Sequence, residues 1–378
     1  MSRRILALAA AALPLIAPRA SSQTEQTVVS AATGVHVQSL DFGAGSDVSS
    51  ARLFLVPLAY EAQLSPRVVL DGYAAYASGT VRADNQTFDL RGPVDSWLRV
   101  RWAATPWAVL AVGVSIPTGV ATHTPSEAVV ANVLSSDLLG FREGNWGGGA
   151  SATAGVSAVR SLGSARATFG LSYRMVGGFD PRTDTSVTYA PGNETRARVG
   201  LGWDALGGRI EGGLTAQSFT VDKLNQKNLF QSGRRYRADL SYAIGAWSVY
   251  GADLLRDRGE LTLPVINVLD GSVLRDTSTS VGWQNLVLGG ISGYLPITRS
   301  FVVEPLLEAK ARQRETQDGR GWLTSAGATV PFGMLGFDVF PTAKVTRGAL
   351  VPSDASAARN VWGGEFSLVI RRSVARRR

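Results

Sequence analysis

The sequence predicts an all-β fold: a transmembrane antiparallel β-barrel of about sixteen strands, with fourteen as the alternative count. Three observations carry that prediction. Apolar and polar residues alternate with a period of two through most of the chain. Short connections alternate with long polar ones between the segments so defined. An apolar leader opens the chain, and beyond it no run approaches the ~20 apolar residues that a spanning helix needs.

The leader comes first. Ser2-Arg3-Arg4 is a basic start, Ile5 to Ile16 is apolar, and Ala20-Ser21-Ser22 is a small-residue exit that allows cleavage before Gln23. Residues 1–22 therefore read as a signal peptide and 23–378 as a single barrel domain. No cysteine follows the apolar run, so it is not a lipoprotein signal. With Cys 0 and His 2, the chain has no material for disulfides or thiolate sites and little for His-based chemistry. The net charge of +8 is mostly arginine, spread along strands rather than clustered with aromatic residues, so a nucleic-acid partner is excluded. The run Arg371-Arg372 and Arg376-Arg377-Arg378 reads as a solvated tail. Few residues separate the cleavage site from the first strand, which leaves no room for a plug.

The stretch from Trp97 to Ile116 shows the pattern most clearly. Leu98, Val100 and Trp102 alternate with Arg99 and Arg101, a turn follows at Thr105-Pro106, and Leu110, Val112, Val114 and Ile116 alternate with small residues. Successive side chains of a strand point to opposite faces. A face of Leu, Val and Trp opposite a face of arginine suits lipid on one side and water on the other. Strands are expected at 33–42, 51–62, 67–79, 93–104, 107–116, 147–159, 165–178, 193–204, 208–220, 234–243, 247–257, 279–293, 300–312, 321–331, 336–347 and 360–372. Long polar loops are expected at 43–50, 80–92, 117–146, 179–192, 221–233, 258–278, 313–320 and 348–359. Short turns at one end and long loops at the other are the hairpin grammar of outer-membrane barrels, and an even strand count puts both termini on the periplasmic side.

The faces follow. Outward sets include Phe54, Val56, Leu58 and Tyr60; Phe169, Leu171 and Tyr173; Val199, Leu201 and Trp203; and Phe366, Leu368 and Ile370. A charge on the lipid face costs about 2–4 kcal/mol near the midplane, so the charged partners belong inside. The lumen-lining candidates are Arg99, Arg101, Arg166, Arg174, Arg196, Arg198, Arg209, Glu211, Arg235, Arg237, Asp239, Glu304, Glu308 and Lys310. The inward arginines outnumber the inward acids, which suggests a mild anion preference. The competing explanation is that cross-strand pairs merely hold the wall, for example Arg235 or Arg237 with Glu211. The segments 247–257 and 279–293 do not phase, and their faces stay unassigned.

The third long loop, 117–146, is the longest. Its centre, Ser126 to Leu134, is apolar enough to form a short helix or to pack on a wall; it either folds inward or lies over neighbouring loops. In strand count and in the position of this loop the chain is similar to the sixteen-stranded general porins, whose loop after the fifth strand enters the lumen. The passages Gly113-Val-Ser-Ile-Pro-Thr-Gly119 and Gly147-Gly-Gly-Ala-Ser-Ala-Thr-Ala-Gly155 also resemble a strand–PTG–loop–strand pattern. That pattern belongs to transporter-like barrels of the phenol meta-cleavage pathway, and the likeness covers about forty residues. Outer-membrane barrels typically end on an aromatic residue; here Phe366 is followed by the basic run, so that signal is internal or degenerate.

No catalytic motif stands out. His123 lies beside Thr122 and Thr124, and His36 near Ser39, without a nucleophile signature; both read as surface or lumen polar residues. Asp180 and Asp184 are a weak calcium pair. The function expected is an outer-membrane channel or transporter for small solutes, without cofactor or metal, with 117–146 narrowing the lumen as one option. A non-conducting structural or adhesive barrel, or a barrel lipase or protease, are the alternatives. Lipid and lipopolysaccharide are the expected partners, and a homotrimer stays open.

Overall fold

The computed structural model describes residues 26–44, 46–144, 146–266, 273–298, 301–316, 319–351 and 357–377. The expected signal peptide lies outside them. The wall consists of β1 (Gln26–Phe42), β2 (Val48–Ser65), β3 (Val68–Ala83), β4 (Ser96–Thr105), β5 (Ala108–Ile116), β6 (Ser151–Leu162), β7 (Ala165–Val176) and β8 (Glu194–Ala205). It continues through β9 (Gly208–Phe219), β10 (Arg235–Ile244), β11 (Trp247–Arg256), β12 (Gln284–Gly293), β13 (Val302–Arg314), β14 (Gly321–Thr329), β15 (Phe337–Leu350) and β16 (Arg359–Arg377). Every neighbour in sequence is an antiparallel partner, and β16 pairs with β1 from Gln26↔Arg377 to Phe42↔Val361. The sheet therefore closes as a sixteen-stranded antiparallel barrel with no free edge in the wall.

Closure revises two expectations at the ends of the chain. β1 begins earlier than position 33, and the basic run is not a solvated tail. Arg371 to Arg377 continue β16 opposite Gln26 to Ala32. Arg371 binds Asp338 at 2.9 Å and stacks on Phe340, and the Arg372 guanidinium lies over Phe337.

Short turns gather at one end. The pair Leu206-Gly207 joins β8 to β9 with φ of 53° and 72°, the left-handed pair that matches the twist of a two-residue hairpin. At the other end, the loops carry more structure than their polarity suggested. Residues 80–92 extend the wall instead of looping: β3 runs to Ala83, Asp84 and Asn85 turn with φ of 49° and 61°, and the strand Gln86–Pro93 pairs back with Tyr76–Ala83. The Asp-Asn pair was the legible signal for that turn. Segments of three further long loops, Tyr189–Ala190, Asp222–Leu224, Lys227–Gln231, Gly259–Ile266 and Val273–Val281, form a separate five-stranded sheet beyond the rim.

The outer wall is apolar. Val112, Leu214 and Leu240 are each 60% exposed and Val345 is 68% exposed, values that make sense for side chains facing hydrocarbon. Trp102, Trp107, Trp203 and Trp247 gather towards the short-turn end, and Trp322 and Trp362 towards the other, as interfacial girdles require. No helix among the described residues is long and apolar enough to cross a membrane; the crossing is made by strands. The closed barrel with its apolar band is the architecture of the bacterial outer membrane.

β11 and β12 now have assigned faces. Register places Trp247, Val249, Asp253 and Leu255 outward beside Tyr242, Ala238 and Tyr236, and Val287 outward opposite Asp253. Tyr250 and Leu254 point inward. A carboxylate on the lipid side and large apolar groups on the wet side are what defeated the alternation there.

The apolar core lies within the barrel and reaches across it, taking in Leu286 of β12 and Leu323 of β14. It joins Leu53 and Leu55 of β2, Ala77 and Val81 of β3 and Leu90 to Val130, Leu134, Leu138 and Trp146 of the segment 117–150. Helix α1 (Pro125–Leu134) begins at Thr124, whose side chain caps Glu127 N while Glu127 reaches back to Thr124 N at 2.8 Å. Thr-Pro-Ser-Glu is thus a capping box with proline at the first helical position. The helix buries Val130 and Leu134 against Gly79 of β3, where any side chain would collide with both.

Candidate lumen site

Two features make up the site: the segment between β5 and β6, and the charged inner face. The segment leaves the wall at Pro117, runs through α1 along β2 and β3, and continues as an arm through residues 135–142. Its contacts are with inward-facing side chains on widely separated strands. Ser136 Oγ accepts from Arg312 of β13 at 3.3 Å, and Asp137 accepts from Gln284 of β12 at 3.3 Å and lies 3.7 Å from Arg256 of β11. Further along, the Leu139 carbonyl accepts from Gln38 of β1, and Arg142 lies 3.4 Å from Glu365 of β16. The chain then returns to the root of β4, where Asp95 N donates to the Trp146 carbonyl.

The inner face carries the candidate residues in distinct groups. Asp71, 7% exposed, accepts from both Arg99 and Arg101, and Arg101 also binds Glu61 at 2.6 Å. Trp97 and Tyr73 stack beside them, with the Arg99 guanidinium over the indole. Arg198 makes a two-pronged bond to Asp239 at 2.9 and 2.8 Å, and Arg237 lies 3.6 Å from the same carboxylate. Arg209 binds Glu211 and Asp204, and Arg196 binds Glu194. Arg174 donates to Ser151, while Arg166 faces Gly202 across the β7–β8 pair. Glu304 stands opposite Thr329.

Near the tip of the arm a second group converges. Lys344 bridges Glu365 at 2.7 Å and Glu308 at 3.6 Å, and Tyr250 donates to Glu308 at 2.7 Å. His36, fully buried, lies 3.5 Å from Glu365. Lys310 approaches so close to Gly140 that a side chain there would meet the ammonium.

One expected pairing is corrected. Glu211 does not bind Arg235 or Arg237; register sets Glu211 opposite Ser241, with Arg237 opposite Thr215 and Arg235 opposite Gln217, well up the strand. The same registers assemble something the sequence did not reveal. Arg196, Gln217, Arg235, Arg256, Gln284 and Arg314 occupy one continuous rung across six strands, all on the inner face. Arg235 sits directly opposite Arg256, where like charges repel. Arg256 escaped notice because it ends a strand whose alternation is broken, and Arg314 because its strand runs two residues past the expected end at 312.

Beside His123 both neighbouring hydroxyls are engaged, and His36 stands across the sheet from Ser367. The Thr122 hydroxyl donates to the Asp180 carbonyl, and Thr124 is spent on the helix cap. Burial holds the His123 imidazole below its usual value, partly offset by Glu127. Asp184 is taken by Arg182, and Asp180 accepts from Thr188. Among the described residues no cluster of three or more such groups could hold a metal ion.

No family model matches the chain, and no curated protein matches it. Among solved structures it is similar to OccK1 (OpdK) of Pseudomonas aeruginosa, at TM-score 0.47 and 9% identity over 93% of this chain and 99% of that one. It is also similar to OccAB4 of Acinetobacter baumannii, at TM-score 0.45 and 7% identity over 94% and 99% of the two chains. CdiB from Acinetobacter baumannii matches at TM-score 0.48 and 11% identity, over 91% of this chain and 60% of CdiB.

Proposed function

We propose that this chain is an outer-membrane channel for small solutes, narrowed by the 117–150 segment and biased towards anions. The observation that carries the narrowing is the pair of attachments the arm makes: α1 on β2 and β3, and Ser136 and Asp137 on β11 to β13. An arm tied to both sides of a ring divides the space inside it. The apolar core extends from β1, β2 and β3 to β12 and β14 but takes no residue from β6 to β10, so a solute passes along those strands, where arginines stand.

Support for the anion bias comes from the shared rung. Most inner arginines have a carboxylate at bonding distance and act chiefly as wall ties. Within the rung Arg196 is tied to Glu194, but Arg235 is set against Arg256, which lies 3.7 Å from Asp137 of the arm itself. Rings of arginine favour anions in pores. Planar bilayers test both parts. Discrete conductance steps are expected, with a reversal potential in a KCl gradient on the anion side. Arg235→Gln with Arg256→Gln should move it towards cations. A folded but silent barrel would end the channel reading, and a cation-side potential in the unaltered protein would end the bias.

A further inference from the structure

The wall strand that runs from Gln86 to Thr105 is broken at Val94-Asp95, immediately beside the point where the 117–150 segment leaves and re-enters the wall. Both legs are tied there. On the departing leg, the Thr118 hydroxyl donates to the Val94 carbonyl at 3.0 Å and accepts from Ser96 N at 2.9 Å. The Asp95 carboxylate then accepts from Gly119 N through one oxygen, at 2.9 Å. Its other oxygen accepts from Gly148 N, on the returning leg, at 2.8 Å. The Asp95 amide completes the arrangement by donating to Trp146 O at 3.0 Å.

Packing at this point explains the Pro-Thr-Gly and triple-glycine passages. A side chain on Gly119 would overlap the Trp146 carbonyl, and one on Gly147 would press into the Val120-Ala121 backbone at 2.8–3.0 Å. The legs touch backbone to backbone, and only glycine permits it.

We propose that Asp95 is the positioning residue of the arm: one carboxylate buckles both ends of the 117–150 segment and fixes where the arm lies. An ordinary turn carboxylate bonds amides one to three residues away. Asp95 instead bonds amides 24 and 53 residues distant, one from each leg of the segment. Each bond joins a charged acceptor to a backbone donor, the stronger class of hydrogen bond. The role rests on the arm being the channel's narrowing, while the buckle itself can be read without any current.

The experiment uses the full chain refolded in detergent, with Asp95→Ala and Asp95→Asn. Amide exchange is followed at Gly119 and Gly148, heat-modifiable migration reports the barrel, and bilayer recordings report the current. Asp95→Ala should speed exchange at both glycines roughly ten- to hundredfold. Asp95→Asn, which keeps one acceptor and turns a donor towards the other amide, should release one of them. Strand amides stay slow in both variants, and open-channel noise rises. If Asp95→Ala fails to fold, Asp95→Asn gives the reading. Unchanged exchange at Gly119 and Gly148 in a folded variant overturns the proposal. So does exchange in the unaltered protein as fast as in exposed loops. A silent wild-type barrel with protected glycines would instead remove the channel and leave the buckle standing.

Discussion

Replacing Leu134 with alanine tests whether the arm is held by packing. Leu134 is 1% exposed and fills the space between α1 and Gly79, with its Cδ1 against the glycine and Trp146 next to it. Leucine-to-alanine changes at such sites cost about 2–5 kcal/mol, from lost transfer energy plus the cavity left behind. The wall owes its closure to inter-strand hydrogen bonds that Leu134 does not touch, so the loss falls on docking of α1 rather than on the barrel. At about 3 kcal/mol the docked-to-undocked ratio drops roughly 150-fold. The Val130, Leu138 and Trp146 contacts remain, so the arm stays docked most of the time but opens far more often. Single-channel recording should then show larger or flickering steps, with faster amide exchange across residues 127–140. Heat-modifiable migration and strand exchange should not change. If steps and exchange matched the unaltered protein, the packing of α1 would not be what positions the arm.

Other changes probe separate parts of the structure. Asp253→Leu removes the carboxylate from the lipid face between Ala238 and Val287 and should stabilise the barrel by about 1–2 kcal/mol in urea titrations from vesicles; a destabilised variant would contradict the outward assignment of β11. Asp71→Asn strips Arg99 and Arg101 of their common charged partner and should cost about 2–4 kcal/mol in the same titration. His123 is held below its ordinary value by burial, so its neutral form favours the folded loop. That contribution is present above the unfolded value of about 6.5 and is lost as pH falls below it. Protection of Thr183 N, which donates to the His123 carbonyl at 3.1 Å, measured relative to the intrinsic exchange rate at each pH, should therefore fall between pH 7 and 5. His123→Gln should flatten that dependence, and a flat profile in the unaltered protein would count against it.

Much of the fold was legible because strand alternation is local. Leu98, Val100 and Trp102 against Arg99 and Arg101 fix two faces without any knowledge of neighbours, and turn residues divide the chain wherever they fall. α1 was only half readable: the apolar run from Ser126 to Leu134 allowed a short helix or a segment packed on a wall, and the cap formed by Thr124 and Glu127 that decides for the helix came from the structure. The rung of arginines was not, because it depends on the stagger of six strands, and a shift of two residues would place Arg235 opposite a different partner without altering a single face. β11 misled for a related reason: its phase is set by its neighbours' registers, which override the preference of Asp253.

The chain by itself determined that it would span a membrane as a barrel, which side chains share a face on most strands, and where the long connection lies. Only the folded structure decided which charges meet, that the basic end seals the ring, and that Asp95 joins two legs of one segment. Faces come from the geometry of a single strand, whereas partners come from closure, which couples every strand to all the others.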